Sequence, residues 1–261
     1  MKLKNLKHIV KQEYGIYKSG KNNLSAELSE LQQTALKNIR TNGYHVIESY
    51  CSREYCSQAI SEINAIIHER EEEIWKDEHE SDFRIYGADR ISKPIAEFLN
   101  DPFLSEIGCT YINSNNKKGF TLGARLEEKE NNLGSGGGWH RDTAHQKQIK
   151  AILYLSDVSE DNGPFQYITG SHRSKELIKG VIQSKFNPGE TRFSDDRIKS
   201  IIGSDSDAIR SFTGKAGTLI LTDTRGLHRG KPINSGVRYA LTNYLWFDQE
   251  IPEDIKSILV K

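Results

Sequence analysis

The stretch Gly136–Asp142 reads Gly-Gly-Gly-Trp-His-Arg-Asp, and the interpretation of the whole chain starts from it. If this stretch is extended, side chains alternate between faces, so His140 and Asp142 share one face and Arg141 points outward on the other. A second histidine, His228, follows 86 residues after Asp142. Two imidazoles and one carboxylate form the 2-His-1-carboxylate facial triad, which holds iron(II) and leaves one face of the metal open. The sequence therefore predicts a metal site of His140, Asp142 and His228.

From about residue 83 the chain changes to short apolar or alternating runs separated by turn-forming residues. These runs predict the strands Phe83–Tyr86, Gly119–Leu126, Ile149–Leu155, Pro164–Thr169, Thr218–Thr222 and Arg238–Phe247. Many short strands with turn residues between them are typical of a closed barrel or jelly roll. Residues 183–216 interrupt the pattern with few apolar groups and many charges, which indicates a long, irregular, lid-like insertion.

The segment before this core is predicted to be helical. Apolar residues at helical spacing indicate one helix over residues 25–42 and a second from Ser52 to about Trp75, with a short strand over residues 44–47 between them. A further short helix is expected over residues 94–107. The first 22 residues carry six lysines and one glutamate, and we expect a basic, solvated leader. The whole chain, 1–261, is therefore interpreted as a single domain with a helical part over residues 25–82 and a core over residues 83–247.

Composition excludes several classes of protein. The 36 basic and 36 acidic residues balance, so nothing global indicates a nucleic-acid partner. No apolar stretch approaches the roughly 18 residues of a membrane span. The three cysteines are sparse and no Cys-x-x-Cys occurs, which argues against a disulfide framework. We expect a soluble protein in the cytoplasm.

A cation at Arg238 extends the chemistry of the predicted metal site. Three protein ligands leave three of six octahedral positions free, and a 2-oxo acid can take two of them through its keto oxygen and adjacent carboxylate. Its far carboxylate needs a cation, and a guanidinium forms two parallel hydrogen bonds with such a group. Simpler alternatives are a structural role for His228 and an ordinary salt-bridging role for Arg238.

Four motifs in a fixed order resemble the phytanoyl-CoA dioxygenase family. They are Gly138–Thr143, Asn162–Pro164, Gly170–His172, and His228 followed by Arg238. The resemblance spans about residues 83–247, and the helices at 25–75 are also similar to those of the family. It implies an iron(II)- and 2-oxoglutarate-dependent oxygenase. The fold class expected is mainly β (α+β), a double-stranded β-helix (cupin-like jelly roll) with the N-terminal helices packed on it.

The resemblance also assigns residues to roles. It implies iron ligands at three positions, His140, Asp142 and His228. Arg238 would hold the C5 carboxylate of 2-oxoglutarate, Thr143 would contact this co-substrate, and Arg125 would contact the co-substrate or the substrate. One departure concerns Gly230, since family members often carry a serine two residues after the second histidine. We expect another residue, such as Thr143 or Thr242, to supply that hydrogen bond.

The expected reaction is hydroxylation of a small or medium organic substrate with iron(II), 2-oxoglutarate and O2, releasing succinate and CO2. An intact Asp142 favours hydroxylation over halogenation, because related halogenases replace the carboxylate with a small residue. The polar insertion indicates a polar or anionic substrate. Its Arg192 and Arg197 are candidates for binding an anion, with solvated loop charges as the simpler interpretation of each. His145 is expected at the pocket rim rather than as a ligand. Two alternatives stay open: a non-redox, cupin-like isomerase or epimerase, and a non-enzymatic jelly-roll binding module.

Overall fold

The structure is a computed structural model that describes residues 27–143, 147–187, 189–247 and 250–260. The predicted basic leader, residues 1–22, and His145 lie outside the described residues. Among the described residues no helix is long and apolar enough to cross a membrane.

Antiparallel strands dominate the described part of the chain. They are β1 (Tyr44–Ile47), β2 (Trp75–Lys76), β3 (Asp82–Tyr86), β4 (Lys117–Glu127), β5 (Ile149–Tyr154), β6 (Phe165–Ile168), β7 (Ile209–Phe212), β8 (Leu219–Asp223), β9 (His228–Gly230) and β10 (Val237–Phe247). A seven-stranded sheet has the order β1-β8-β5-β10-β4-β3-β2, and a three-stranded sheet has the order β7-β6-β9. The prediction of a mainly β chain with two-sheet, jelly-roll character is confirmed.

Helices cover the outer face of the large sheet. They are α1 (Glu30–Asn42), α2 (Arg53–Glu69), α3 (Lys93–Leu99) and α4 (Pro102–Ile112), and their apolar sides form one core cluster with the sheet. Helix α1 begins later than predicted because Ser29 and Gln32 form a reciprocal capping box. Helix α2 ends earlier because residues 75–76 pair with β3. The predicted helix 94–107 is two helices, since Pro102 cannot continue one helix and instead starts the next.

Alternation of side chains gives the large sheet a helix-covered face and a face that encloses a cavity. In β10 the even-numbered residues 238–246 line the cavity, whereas Leu241 packs against the helices. In β5 the even-numbered residues 150–154 line the cavity, and Leu153 belongs to the helix-covered core. This two-residue period, rather than the sequence neighbourhood, decides which polar groups reach the interior.

The segment 183–216 is more regular than the sequence predicted. It contains α6 (Asp195–Ile202) and strand β7 of the small sheet, and it follows α5 (Ser174–Ile182). Three of its buried apolar side chains, Phe186, Phe193 and Ile198, pack with Trp139 in a second core cluster. A handful of well-spaced apolar residues is therefore enough to fold a segment whose overall composition is polar. A last short helix, α7 (Glu253–Ser257), ends the described chain.

Candidate metal centre

Three side chains predicted to bind a metal converge at one point between the two sheets. One ligand atom from each of His140, Asp142 and His228 lies within 4.8 Å of the other two. The Nε2 atoms of His140 and His228 lie 3.8 and 3.9 Å from Oδ1 of Asp142. His228 opens β9, while the stretch around His140 runs alongside it outside any named strand. The prediction that these residues share a site thus agrees with the geometry.

Both histidines occupy the same local motif, a Gly-x-His tripeptide. Nδ1 of His140 lies 2.9 Å from the carbonyl oxygen of Gly138, and Nδ1 of His228 lies 2.9 Å from that of Gly226. A carbonyl oxygen only accepts, so each Nδ1 carries the proton and each Nε2 keeps its lone pair for a metal. Backbone hydrogen bonds of 2.8 Å in both directions pair His140 with His228. The imidazoles consequently face each other, with ring centres 4.2 Å apart.

The glycine run before His140 is required by close packing on the histidine ring. Gly136 and Gly138 both have φ of +87°, a left-handed conformation that glycine adopts without strain. A Cβ at position 136 would lie 2.3 Å from Cε1 of His140, far inside contact distance. At position 138 a Cβ would meet nothing within 4 Å. Gly136 therefore confines the imidazole, whereas Gly138 supplies the carbonyl that orients it.

Burial keeps the imidazoles neutral, and the surrounding charges keep the carboxylate ionised. Desolvation, followed by the nearby His228, lowers the pKa of His140 to about 3. Burial likewise lowers the pKa of His228. For Asp142, burial alone would raise the pKa, but Lys150 and the two imidazoles outweigh it and hold the pKa below its usual range. A neutral imidazole pair beside a carboxylate is the donor set that suits a divalent transition metal.

Lys150 is a participant that the sequence did not reveal. It lies on β5, is only 5% exposed, and places Nζ 2.7 Å from Oδ2 of Asp142. Nζ also lies 3.7 Å from the ring centre of Tyr244. The one available signal was a lysine at the second position of an otherwise apolar strand, because a charge there needs a partner once the strand is buried.

A cavity of about 990 Å³ connects this centre to a second cationic region. Arg238 on β10 lines the cavity and is 4% exposed. Its Nε has no hydrogen-bond partner among the described residues. Burial lowers the pKa of Arg238, but a guanidinium stays charged in proteins. Arg238 therefore lies in the same cavity as the triad, with an unsatisfied donor.

Arg84 brings a second guanidinium to this region, and the sequence had not indicated it. It lines the cavity from β3, where Nη2 and Nε lie 2.5 and 2.9 Å from Oδ2 of Asp82. Its side chain also lies over the ring of Trp75, at 4.7 Å. Asp82 and Trp75 thus hold Arg84 in place without using all of its donors.

Ser135 occupies the space next to Gly230, the position at which a hydroxyl was expected to be missing. A Cβ at Gly230 would lie 2.8 Å from the Cβ of Ser135, so only glycine fits there. The amide of Gly230 donates to the carbonyl oxygen of Ser135, and Nη2 of Arg84 lies 3.4 Å from its Oγ. Ser135 lines the cavity. The glycine-rich loop therefore places a hydroxyl, that of Ser135, beside Gly230 in the cavity.

The other predicted co-substrate contacts separate into one inside the cavity and one outside it. Thr143 lines the cavity, directly after Asp142. Arg125 does not fit its predicted role, because it pairs in register with Tyr239 and shares the helix-covered face. There it forms an ion pair of 2.6 Å with Glu127 and lies over Phe83. The register between β4 and β10 explains this difference, since it gives Arg125 and Arg238 opposite faces.

Arg141 was expected to point outward into solvent, and this expectation is wrong because the side chain is buried. Arg141 is only 2% exposed, and its guanidinium lies over the rings of Phe186 and Phe193, at 4.7 and 5.2 Å. Its amide donates to the carbonyl oxygen of Thr191. Side-chain alternation does place Arg141 on the opposite face from His140 and Asp142. The segment 183–216 covers that face, so Arg141 contacts protein there instead of solvent.

Comparison with known proteins agrees with this arrangement. The sequence model of the family described as Phytanoyl-CoA dioxygenase (PhyH) matches residues 39–239. No curated protein sequence matches significantly.

Similar solved structures include the epimerase SnoN in complex with Fe3+, alpha ketoglutarate and nogalamycin RO. Its identity is 13%, the match covers 87% of this chain and 89% of that one, and the TM-score is 0.65. HygX from Streptomyces hygroscopicus with nickel, 2-oxoglutarate and hygromycin B bound has 17% identity, coverages of 85% and 88%, and a TM-score of 0.59. EctD from S. alaskensis with bound Fe has 14% identity, coverages of 85% and 78%, and a TM-score of 0.62. At these identities the similarity is one of fold, and the predicted double-stranded β-helix class is confirmed.

Proposed function

Because the chain belongs to the phytanoyl-CoA dioxygenase family, we propose that it is an iron(II)- and 2-oxoglutarate-dependent dioxygenase. The observation that carries the proposal is the pairing of two Gly-x-His tripeptides beside Asp142, in a cavity that also contains Arg238. A metal triad and a buried cation in one cavity match the two ends of a 2-oxo acid, one of which chelates and the other of which needs a counter-charge.

The triad fits iron by the chemistry of its donors. Nε2 of His140, Nε2 of His228 and one oxygen of Asp142 would hold the ion. The two Nδ1–carbonyl contacts fix the ring orientations before the metal arrives, so little has to be reorganised on binding. Bound iron(II) would supply activation of dioxygen, coupled to conversion of 2-oxoglutarate into succinate and CO2. The protein's own contribution is to hold the donors neutral or ionised as required and to keep the site buried.

The opposite cationic region is proposed to bind the C5 carboxylate of 2-oxoglutarate. Arg238 would provide a fork of two hydrogen bonds, since a planar guanidinium matches a carboxylate. Arg84 and Ser135 lie at the same region and would add a donor each. Thr143 is proposed as a hydroxyl contact at the metal end, where it follows Asp142 directly.

The substrate is proposed to be a small molecule with an anionic group and an apolar body. Apart from Arg141, whose guanidinium packs on Phe186 and Phe193, the basic residues that line the cavity among the described residues are Arg84, Lys147, Lys150, Arg192 and Arg238, against one acidic residue, Asp142. Lys147, which lies over the ring of Tyr111, and Arg192, which donates to the carbonyl oxygen of Gly136, line the cavity outside the proposed co-substrate site, and we propose that they face the substrate. Aromatic and apolar side chains line the far end of the cavity, including Tyr86, Phe120, Leu122 and Trp246. A volume of about 990 Å³ is at the upper end of the range for drug-sized ligands.

We propose hydroxylation as the reaction at this site. The intact Asp142 argues against halogenation. The similar structures carry other named reactions as well, including an alpha ketoglutarate-dependent epimerase and a carbocyclase. The products distinguish these outcomes: hydroxylation adds one oxygen atom to the substrate, epimerisation leaves its formula unchanged, and ring closure removes two hydrogen atoms. All three would release succinate, whereas a non-redox isomerase or a binding module would not.

Anaerobic titration of the iron(II)-loaded protein with 2-oxoglutarate tests the proposal. Chelation of iron by a 2-oxo acid is expected to produce a weak visible charge-transfer band. Asp142→Ala should abolish it, and Asp196→Ala, which removes an exposed carboxylate on α6, should leave it unchanged. Absence of the band in the unsubstituted protein, or an undiminished band in Asp142→Ala, would contradict the proposal.

A second measurement addresses the substrate. A panel of small carboxylates, phosphates and neutral analogues of the same size is presented to the loaded enzyme, and succinate is measured above the uncoupled background. Stimulation by anionic members with apolar bodies is the expected result, and mass spectrometry of the organic product then reports which bond has changed. Stimulation by neutral members alone would contradict the assignment of an anionic substrate.

A further inference from the structure

Lys150 is a buried charge whose partner is a predicted metal ligand. Its Nζ lies 2.7 Å from Oδ2 of Asp142, and the residue is 5% exposed. A lysine this deeply buried is rare unless it is paired. The acid that pairs with it is also the only acidic side chain that lines the cavity among the described residues. This arrangement calls for an explanation that involves the metal site.

The two oxygens of Asp142 are committed to different partners. Oδ1 lies 3.8 Å from Nε2 of His140 and 3.9 Å from Nε2 of His228, at the point where the three ligands meet. Oδ2 is turned to the ammonium of Lys150. The ammonium is itself held on its other side by the face of Tyr244, at 3.7 Å from the ring centre, which is a favourable cation–π position.

Because the two oxygens of Asp142 have different partners, the number of coordination positions that the carboxylate can occupy on the metal is limited. A carboxylate binds a metal through one oxygen or through both, and binding through both takes two of the six positions. With Oδ2 engaged by an ammonium, only Oδ1 is offered to the metal. The face that must accept a bidentate 2-oxo acid then stays open.

We propose that Lys150 is a positioning residue that restricts Asp142 to one-oxygen ligation and thereby keeps a coordination position free for the 2-oxo acid. The proposal rests on the proposed function, since it concerns the same metal and co-substrate. It also predicts an unusual direction for the effect of the substitution on metal affinity. Groups that support metal ligands normally strengthen metal binding, and their loss weakens it about 10- to 100-fold. Lys150 carries a positive charge toward a cation, so its removal should not weaken metal binding at all.

The experiment compares the unsubstituted protein with Lys150→Met and Lys150→Arg. Co(II) binding and then 2-oxoglutarate binding to the Co(II)-loaded protein are measured by anaerobic calorimetry, with the visible Co(II) spectrum as a report of the ligand set. In Lys150→Met we expect Co(II) binding that is unchanged or tighter, a Co(II) spectrum that differs from that of the unsubstituted protein because a second oxygen of Asp142 replaces a water, and 2-oxoglutarate binding about tenfold weaker or more. Lys150→Arg keeps the ion pair and should retain most of the 2-oxoglutarate affinity.

Lys117→Met is the matched control. Lys117 is a partly buried lysine that donates to Ser105 and lies outside the cavity lining, so its loss removes a partly buried ammonium group elsewhere. It should leave both affinities unchanged. Thermal unfolding of each metal-free variant verifies that it folds, and Lys150→Gln replaces Lys150→Met if the latter does not.

The outcomes separate the two levels of the argument. If the unsubstituted protein binds neither Co(II) nor 2-oxoglutarate, the proposed function fails. If it binds both, and Lys150→Met or Lys150→Gln binds 2-oxoglutarate within about twofold of it, only the role of Lys150 is refuted. Weaker Co(II) binding in the folded variant would also refute it, because that is what ordinary support of the ligand predicts.

Discussion

Replacement of Gly136 by alanine tests whether the glycine run confines the imidazole of His140. Gly136→Ala and Gly138→Ala both introduce a Cβ at φ of +87°, so both should lose about 1–2 kcal/mol of stability from left-handed backbone strain. Only the first adds a collision, with its Cβ 2.3 Å from Cε1 of His140, where ordinary contacts begin at 3.4 Å. The ring must therefore move by about 1 Å, a displacement that can lower activity about 100-fold.

The assay combines thermal unfolding of the metal-free protein with anaerobic Fe(II) titration. The unfolding temperature should fall in both variants from the shared backbone strain, and at least as far in Gly136→Ala, which adds the collision with His140. Fe(II) binding should weaken tenfold or more in Gly136→Ala and stay close to that of the unsubstituted protein in Gly138→Ala. Equal Fe(II) affinities in the two variants would show that the loop does not position His140, and the reasoning from the Cβ contact would be wrong.

Two further predictions concern charged and titratable groups of the cavity. Arg238→Met should weaken 2-oxoglutarate binding to the metal-loaded protein at least about tenfold, because a hydrogen bond to a charged group contributes about 1.5–3 kcal/mol. Arg125→Met, on the opposite face, should leave it unchanged, and equal weakening in calorimetry would contradict the assignment. The metal-free protein should lose stability as the pH falls from about 6.5 towards 3, because the unfolded chain then binds protons that His140, with its pKa lowered to about 3, does not. Melting curves at several pH values should show that the unfolding temperature changes less with pH in His140→Gln than in the unsubstituted protein. An unchanged dependence of the unfolding temperature on pH would refute this account.

Predictions based on local periodicity agreed with the structure. The strand over residues 44–47 has the predicted bounds, and the other predicted strands differ by a residue or two at their ends. The same two-residue period placed His140 and Asp142 on one face. Errors occurred where a longer-range contact ended an element, as when residues 75–76 paired with β3 and shortened helix α2. Iron ligation by the triad, the co-substrate contacts and a cytoplasmic location stay predictions.

Residues brought in from distant strands were the ones missed. Lys150, Arg84 and Ser135 lie far apart in the sequence. Nothing in the local patterns of Arg84 and Ser135 distinguishes them from ordinary surface residues, and for Lys150 the one signal is its place in an otherwise apolar strand. Each becomes relevant only because of the face on which the pairing of its strand or loop places it. Arg125 was wrongly expected in the site for the same reason. It pairs with Tyr239, the neighbour of Arg238, and therefore lies on the opposite face of the sheet.

The sequence by itself determined the chemistry available at the Gly136–Asp142 stretch: two donor groups of the right type, two residues apart, with a second Gly-x-His tripeptide downstream. Tertiary structure alone decided that the two tripeptides pair, that Oδ2 of Asp142 is engaged by Lys150, and that Arg141 is buried beneath the segment 183–216. The physical reason is that side-chain alternation is encoded locally by backbone geometry, whereas the register between strands depends on the packing of the whole sheet.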